Sequence, residues 1–480
     1  MTALQLSCLF LLAPPGVAHA GKSIWYSDGD PLGTEALTPP SIPPAYLNES
    51  LGQECAALDF KQLLTLADVA NSALCNNPQT REAWASARQQ AAQLGIAKSA
   101  YLPSVNNTLS GNLNAASPES SQRNNPYSNL NNNLVASYLL YDFGNRDANL
   151  ENARQLLQAA SASQSSVIQN VLLSVIRAYY QVQAGIAALQ AAQESERASE
   201  ESFKAADARY KAGVATPADK LQAQTSYAQT TLTRITAEGD LKTAYGTLAN
   251  VMGLDASQPL QLTPTSAVNA GAVIEQDINA LIEQARLRRP DLIASEAQLK
   301  AAEASIEASR AASKPTVSVS VANSSQNGSD ISASNTGSIG LSVSIPLFGG
   351  YEPSYRIRSA EAAAEVRAAQ RDRLKLQISL DVWSAYQGLR TANESVRAAA
   401  VLVESAEESS RVALGRYKAG VGNILDTLNA QSALASARQQ KIQADLNWNI
   451  ARANLAQALG ALDNAMIQSL PEGEVSAFIP

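Results

Sequence analysis

The chain has few of the side chains on which most enzymes and metalloproteins depend. Of its 480 residues, one is histidine, three are cysteine and only 5% are aromatic. The one imidazole belongs to His19, so no second imidazole is present for a metal site or for general-base catalysis. A phosphate-binding loop of the Gly-x-x-x-x-Gly-Lys type does not occur after residue 22, and the one match to the pattern, at residues 16–22, lies in the N-terminal region rather than between a strand and a helix. We therefore expect neither an enzyme nor a bound metal or cofactor.

An excess of basic charge is missing as well. The sequence has 36 basic and 43 acidic residues, which gives a net charge of −7. Without a basic patch, a protein attracts phosphate backbones poorly, so nucleic acid is not an expected partner. Beyond the N-terminal region, no apolar run approaches the ~18 residues of a membrane-spanning helix. The scarcity of bulky aromatic residues favours closely packed helices over a thick globular core.

The N-terminal region has the pattern of an exported protein. An apolar run from Leu4 to Val17 ends in Ala18-His19-Ala20, so residues 1–20 are predicted to be a signal peptide. A disordered N-terminus is the alternative, because the usual positive charge before the apolar run is missing. Residues 21–63 are rich in proline and are predicted to form an extended segment.

Two cysteines, Cys55 and Cys75, remain once residues 1–20 are removed. In an exported protein, an even pair of cysteines favours a disulfide, since oxidising compartments convert neighbouring thiols. Two free buried thiols are the alternative.

One hexapeptide occurs twice, and the rest of the chain can be arranged around it. The sequence Arg-Tyr-Lys-Ala-Gly-Val spans residues 209–214 and again residues 416–421. Asp219 and Asp426 are related by the same separation. Repetition at a fixed spacing indicates two copies of one structural unit. We predict a first repeat at residues 64–253, a linker at 254–277, a second repeat at 278–462 and a C-terminal tail at 463–480.

Each predicted repeat contains a short helix followed by two strands. Prolines bound the helix at Pro78 and Pro103, and again at Pro290 and Pro315, because the proline ring fixes φ and excludes the preceding residue from the helical region. Apolar and small or polar residues then alternate, with a polar loop predicted at 323–328 in the second repeat. The apolar positions are Val105, Leu109, Leu113, Leu134, Ala136, Tyr138 and Leu140 in the first repeat and Val317, Val319, Val321, Ile339, Leu341, Val343, Ile345 and Leu347 in the second.

The strands have the length and the flanking residues of membrane strands. Each is near the ~9–11 residues that a tilted strand needs to cross a bilayer. Aromatic residues, which membrane interfaces favour, collect at the strand ends: Tyr101, Tyr141, Phe143, Phe348 and Tyr351. A hairpin with one face on a soluble core is the alternative, because such strands alternate in the same way.

The longest helical patterns follow the strands. Residues 146–212 contain no proline, and a matching run begins at Ser354 and ends at Gly420. At ~1.5 Å per residue, each helix would be on the order of 100 Å long and would have to pack sideways on neighbours as in a coiled coil. A tight turn and a return helix complete each repeat, ending at Gly253 or Gly460.

Four strands are too few to close a barrel, and an open sheet edge in lipid leaves backbone groups unpaired. Several chains would therefore have to contribute strands to one barrel. Two chains would give eight strands and almost no lumen, whereas three would give twelve and four sixteen.

The order of these features resembles the outer membrane efflux protein family of TolC-like export channels. The resemblance rests on Asn77-Pro78, Arg289-Pro290, the Phe-Gly pairs that leave the strands and the repeated Tyr-Lys-Ala-Gly-Val turns. It implies a membrane β-barrel joined to a long α-helical barrel, built by a homotrimer with 12 strands and 12 helices. It also implies a location in the outer membrane of a Gram-negative bacterium, in contact with its lipid, with the helices in the periplasm.

The same resemblance implies partners and cargo. Family members work with a periplasmic adaptor protein and an inner-membrane ABC or proton-driven pump. The expected function is a passive exit duct for a type I secreted protein or for drugs and other small molecules. A structural periplasmic coiled coil or an adaptor protein is the alternative, although a coiled coil leaves the strands unexplained and an adaptor needs soluble β modules that the sequence does not contain.

The resemblance also indicates gate residues at the closed periplasmic end. Asp426 corresponds to a constricting acid, and Asn429 to a position that is often a second acid. Tyr417 resembles the tyrosine of a helix lock, although Gly422 stands where some members have the arginine of that lock. Asp219 matches Asp426 in the first repeat. In both repeats the acid also has the spacing of a capping box, with Thr216 or Asn423 at the helix start, so capping is the alternative role.

The two turns would be the tips at which an adaptor docks. They comprise Lys211, Ala212, Gly213 and Val214 in the first repeat and Lys418, Ala419, Gly420 and Val421 in the second. The glycines are expected to provide the turn conformation. For the lysines and for the neighbouring Arg209 and Arg416, the simpler interpretation is solvated charges near helix C-termini.

Overall fold

A computed structural model describes residues 29–43, 46, 62–114, 127–264, 277–329 and 332–463. The predicted signal peptide at residues 1–20, Cys55 and nearly all of the predicted tail lie outside the described residues. Within the described part, no helix combines the length and the hydropathy that crossing a membrane requires.

The chain contains two series of elements in the same order. The first is α1 (Leu66–Asn76), α2 (Pro78–Ser99), β1 (Ser104–Asn114), β2 (Tyr127–Tyr141), α3 (Asn145–Lys211) and α4 (Pro217–Val251). The second is α5 (Ile278–Arg288), α6 (Pro290–Ala311), β3 (Thr316–Gly328), β4 (Ser334–Ser344), α7 (Glu352–Lys418) and α8 (Ile424–Ala458). The four helices have 11, 22, 67 and 35 residues in both series.

Proline and glycine set the helix ends at equivalent places. Pro78 and Pro290 occupy the first turns of α2 and α6, where their missing N–H groups cost nothing. Gly253 and Gly460 end the return helices with φ of 75° and 69°. A Cβ on Gly253 would lie 2.6 Å from the carbonyl oxygen of Asn76, so the helix end packs directly on the α1–α2 junction. Only glycine meets both demands without strain.

The four strands form one antiparallel sheet in the order β1-β2-β3-β4. Its register places Val105 beside Ala136, and Val321 beside both Ala136 and Ile339. One side, the apolar face, carries chiefly Val105, Leu109, Leu113, Leu130, Leu134, Ala136, Tyr138, Val317, Val319, Val321, Ile339, Leu341 and Val343. The other side, the polar face, carries chiefly Ser104, Asn106, Thr108, Ser110, Asn112, Asn129, Asn131, Asn133, Ser137, Ser318, Ser320, Ser324, Gln326, Thr336, Ser338 and Ser342.

Two details of the strands differ from the sequence-based prediction. Residues 323–328, predicted as a loop, continue β3, because Asn323 pairs with Leu134 and Gln326 pairs with Asn131. β4 ends at Ser344, so Ile345 and Leu347 lie beyond it.

The main hydrophobic core lies where α1, α3, α4 and α8 meet. Ile168, Leu172 and Ile176 of α3 are fully buried there together with Leu248 of α4. Burying each such side chain contributes about 1.5–3 kcal/mol. Residues 29–43 lie against α2 and α3, where Trp84 Nε1 donates a hydrogen bond to the carbonyl oxygen of Pro39 at 3.2 Å. This core lies at the middle of α3 and at the ends of α4 and α8 that are far from the turns.

Candidate gate at the helix turns

The two turns at the ends of the long helices have the same backbone conformation. Gly213 and Gly420 have φ of 74° and 78°, in the left-handed region that favours glycine. In each turn the N–H of the following valine donates back to a helix carbonyl, Val214 to Arg209 at 2.9 Å and Val421 to Arg416 at 3.0 Å. Both valine side chains are exposed. The predicted docking residues therefore form two tips, each ending in an uncovered apolar side chain.

An ion network closes the first turn. Asp207 of α3 contacts Lys211 at 2.7 Å and Lys220 of α4 at 2.8 Å, so the carboxylate joins the two helices. Hydrogen bonds from Lys211 and Lys220 lower the pKa of Asp207. The equivalent position in the second repeat is Leu414, which cannot form this network.

The two predicted gate acids have different environments. Asp219 belongs to a capping box: its carboxylate accepts the N–H of Thr216 at 3.0 Å, and its own N–H donates to the Thr216 hydroxyl at 3.2 Å. The capping box expected for Asn423 and Asp426 is not the arrangement found, because the Asn423 side chain accepts from the N–H of Leu425 instead. Asp426 is exposed and forms no ion pair within the described residues.

Helical geometry explains why Asp426 has no ion-pair partner in the described part of the chain. Ile424 and Thr427 are buried against the neighbouring helices, and the Thr427 hydroxyl donates to the carbonyl oxygen of Ala413 at 3.3 Å. Asp426 and Asn429 are three residues apart, so they are neighbours on the opposite, exposed side of α8. Their side chains point away from the packing within this chain and can act on a solute or on a second copy.

Tyr417 connects the two repeats at the turns. It is 5% exposed and packs with Ala206, Ala223 and Ile424. The guanidinium of Arg209 lies 4.8 Å from the centre of the Tyr417 ring and donates to the Tyr417 carbonyl oxygen at 3.0 Å. Burial raises the pKa of Tyr417; the charge of Arg209 opposes the shift, whereas that of Asp219 adds to it.

Arg209 is the site residue that the sequence-based interpretation missed. That interpretation treated it as a solvated charge, but its position over Tyr417 shows that this was wrong. The repeated hexapeptide gives Arg209 and Arg416 the same local sequence, so the sequence carries no signal for which of them binds an aromatic ring.

Gly422 leaves no room for a side chain. A Cβ there would lie 2.9 Å from the backbone nitrogen of Tyr417 and 3.0 Å from the carbonyl carbon of Arg416. An arginine-based lock from this position would therefore require the turn to shift. The link between the helix ends is provided instead by Arg209.

Further polar contacts join α3 to the second repeat above the turns. Gln431 Nε2 donates to the Ser202 hydroxyl at 3.0 Å. Arg438 of α8 contacts Glu194 of α3 at 2.6 Å and Glu407 of α7 at 3.0 Å. Between the apolar cluster around Tyr417 and the main core, these polar contacts thus join the two repeats.

Other candidate sites are limited. Among the residues that the structure describes, no three histidine, cysteine, aspartate or glutamate side chains are grouped to hold a metal ion. Cys75 is disulfide-bonded. Because Cys55 lies outside the described residues, the pairing of these two cysteines stays a prediction.

The similarity of the chain to known proteins agrees with this architecture. The family model for outer membrane efflux proteins matches residues 69–254 and 281–461. Protein CyaE of Bordetella pertussis is 31% identical over 418 residues, covering 86% of this chain and 87% of that protein. Outer membrane protein TolC of Vibrio cholerae is 23% identical over 442 residues, covering 90% and 98%.

Solved structures share the fold. A crystal structure of CusC superposes with a TM-score of 0.75 at 21% identity and covers 85% of this chain and 95% of that one. The resemblance drawn from the sequence is confirmed, and the alternatives of a coiled-coil spacer or an adaptor are not supported. The chain belongs to the outer membrane efflux protein family of TolC-like outer membrane channels.

Proposed function

We propose that the protein is the passive exit duct of a tripartite export system, crossing the periplasm and the outer membrane. The observation that carries this proposal is that one chain contains both a sheet suited to a membrane and very long helices. A four-stranded sheet with one apolar face continues into two 67-residue helices, each about 100 Å long at ~1.5 Å per residue. The sheet suits a bilayer and the helices suit a wide aqueous space.

The proposed assembly is a homotrimer. β1 and β4 are the edges of the sheet, and an unpaired edge is costly in lipid, so β4 of one copy would pair with β1 of the next. Three copies give a 12-strand barrel and a 12-helix tunnel. Ile339 and Leu341 on β4, 79% and 68% exposed in the single chain, would then face outer membrane lipid.

The helices carry matching apolar stripes. Val401 and Leu402 are exposed on α7, and Leu232 and Ile235 are exposed on α4 at a similar distance from the turns. In a closed ring of copies, α7 of one copy would lie beside α4 of the next, and these residues would be covered. The proposed barrel and tunnel would thus use the same order of subunits.

The proposed partners dock at the turns. The tips at residues 211–214 and 418–421 are exposed and end in Val214 and Val421, which suits the apolar contacts of a helical hairpin from a periplasmic adaptor. An inner-membrane ABC or proton-driven pump would supply the energy. The cargo would be a type I secreted protein or small molecules such as drugs.

Asp426 and Asn429 would form the constriction of this duct. Three copies would place three Asp426 carboxylates around one axis, and a ring of acids attracts cations and repels anions. Asp219, by contrast, would hold the start of α4 through its capping box, next to Tyr417.

Planar bilayer recordings of the purified protein test the proposal. Asp426→Ala is expected to raise the conductance of the closed state and to weaken block by divalent cations. Asp219→Ala is the matched control, because it removes a capping acid and is expected to lower stability by about 1 kcal/mol without relieving the block. Unchanged conductance and block in Asp426→Ala would remove this residue from the gate. A mature protein that is a soluble monomer without detergent would overturn the duct itself.

A further inference from the structure

The four strands contain no side chain that is charged at neutral pH. No Asp, Glu, Lys, Arg or His occurs in β1, β2, β3 or β4, although 16% of the chain is charged. Charges are absent from the apolar face, as lipid contact requires. They are equally absent from the polar face, where lipid imposes no such limit.

Neutral hydrogen-bonding groups run across the whole polar face. One row of directly paired residues consists of Thr108, Asn133, Ser324 and Thr336. At the end near the helices, the hydroxyls of Ser104 and Ser137 lie 2.8 Å apart and bond to each other. Hydroxyl and carboxamide groups both donate and accept hydrogen bonds, so they can solvate anions, cations and peptide groups alike.

We infer that the membrane-spanning wall of the duct does not distinguish charge, so that acidic and basic polypeptides and ions of either sign meet the same wall. This inference rests on the proposed function, because it takes the polar face as the lumen of a closed barrel. Charge discrimination then lies in the helical part, where Asp426 is exposed without a counter-ion within the described residues. Rings of charged side chains are one way in which a pore prefers cations or anions, and the strands provide none.

The electrostatic potential at the wall can be measured with single cysteines introduced at two neighbouring residues of β3. Ser320→Cys lies on the polar face, and Val319→Cys lies on the apolar face. Each variant, reconstituted in a bilayer, is treated with a cationic and an anionic methanethiosulfonate reagent, and each rate is divided by the rate with a free thiol. The unsubstituted protein gives the background of the natural cysteines. We expect Ser320→Cys to react with both reagents at normalised rates within about threefold, and Val319→Cys not to react.

A designed charge provides the positive control. Gly340 pairs directly with Ser320, and a side chain at this glycine meets nothing closer than 3.8 Å. Gly340→Asp combined with Ser320→Cys is expected to favour the cationic reagent by roughly tenfold, because two unit charges a few ångströms apart interact measurably even in water. Asn429→Cys, one helical turn from Asp426, is expected to show the same preference without any added charge.

The possible outcomes distinguish a failure of this inference from a failure of the proposed duct function. A preference of more than about threefold for either reagent at Ser320→Cys alone would overturn the inference, and so would reaction of Val319→Cys in place of Ser320→Cys. A protein that inserts no conducting pores at all would instead contradict the proposed function.

Discussion

The guanidinium of Arg209 lies 4.8 Å from the centre of the Tyr417 ring, and it is the first repeat that provides the cation and the second that provides the ring. The two residues lie at the ends of α3 and α7, so their contact joins the helix ends that would separate if the proposed duct opens at the turns. Arg416, which occupies the repeated position, is exposed. Identical hexapeptides thus give one arginine a binding role and leave the other in solvent.

Replacing Arg209 should therefore favour opening. A cation–π contact of this kind contributes about 1 kcal/mol, so Arg209→Gln is expected to raise the ratio of open to closed duct about fivefold. Single-channel recordings measure this ratio. Arg416→Gln is the matched control and is expected to leave it unchanged. Equal effects of the two variants would mean that the charge near the turns matters and the contact with Tyr417 does not.

A methyl group at Gly422 should disturb the same region. Gly422→Ala places a Cβ against the backbone of Arg416 and Tyr417, and such overpacking typically costs about 1–3 kcal/mol. We expect faster hydrogen exchange of residues 416–424 and a larger leak current. In Gly415→Ala the new Cβ meets no atom within 4 Å, and replacing a helical glycine should stabilise α7 by about 0.5–1 kcal/mol. Similar exchange in the two variants would argue against the tight turn.

The positions of the helices could be predicted because their ends depend on local chemistry. Pro78, Pro290, Gly253 and Gly460 act through their own backbone preferences, and a sequence displays these directly. Residues 323–328 were predicted as a loop because serine and asparagine are common in loops. They form strand because β2 offers a partner for each of them, and no local pattern reveals that pairing.

The arrangement of the candidate gate was only partly predictable, because it too depends on contacts between distant parts of the chain. Asp219 and Asp426 have the same spacing from their helix starts, but threonine at position 216 forms the capping box and asparagine at position 423 caps a different N–H. Contacts between distant segments determine how much space surrounds Gly422. They also determine that Arg209, and not Arg416, lies over the ring of Tyr417. These contacts arise only when both repeats are packed together.

Arg438 should hold three helices together below the main core. It contacts Glu194 and Glu407 from a position only 27% exposed, whereas both acids are at least half exposed. Because solvent screens each pair, we expect Arg438→Gln to lower the free energy of unfolding by about 1 kcal/mol or less. The loss should shrink as salt concentration rises. A double-mutant cycle with Glu194→Gln measures the coupling, and a coupling of zero at low salt would exclude this role.

Arg146 should contribute more, because its ion pair is nearly buried at the junction of sheet and helix. Its Nε lies 3.0 Å from Asp142 Oδ2, with the two side chains 12% and 9% exposed. Its terminal nitrogens donate to the carbonyl oxygens of Leu139 and Leu140, where the pairing of β2 is interrupted by a bulge. Removing one partner of a buried pair leaves the other charge uncompensated, so Arg146→Met is expected to cost about 3 kcal/mol in denaturant unfolding.

The second repeat provides the control for that experiment. Arg356 stands near the start of α7 and pairs with Glu352, but both side chains are largely exposed. Arg356→Met is therefore expected to cost no more than about 0.5 kcal/mol. The double variant Asp142→Leu with Arg146→Met should recover part of the loss, because no unpaired charge is then buried. The contrary outcomes are that Arg146→Met and Arg356→Met lower the free energy of unfolding equally, or that the double variant recovers nothing. Either result would mean that the uncompensated charge of Asp142 is not the cause of the loss in Arg146→Met.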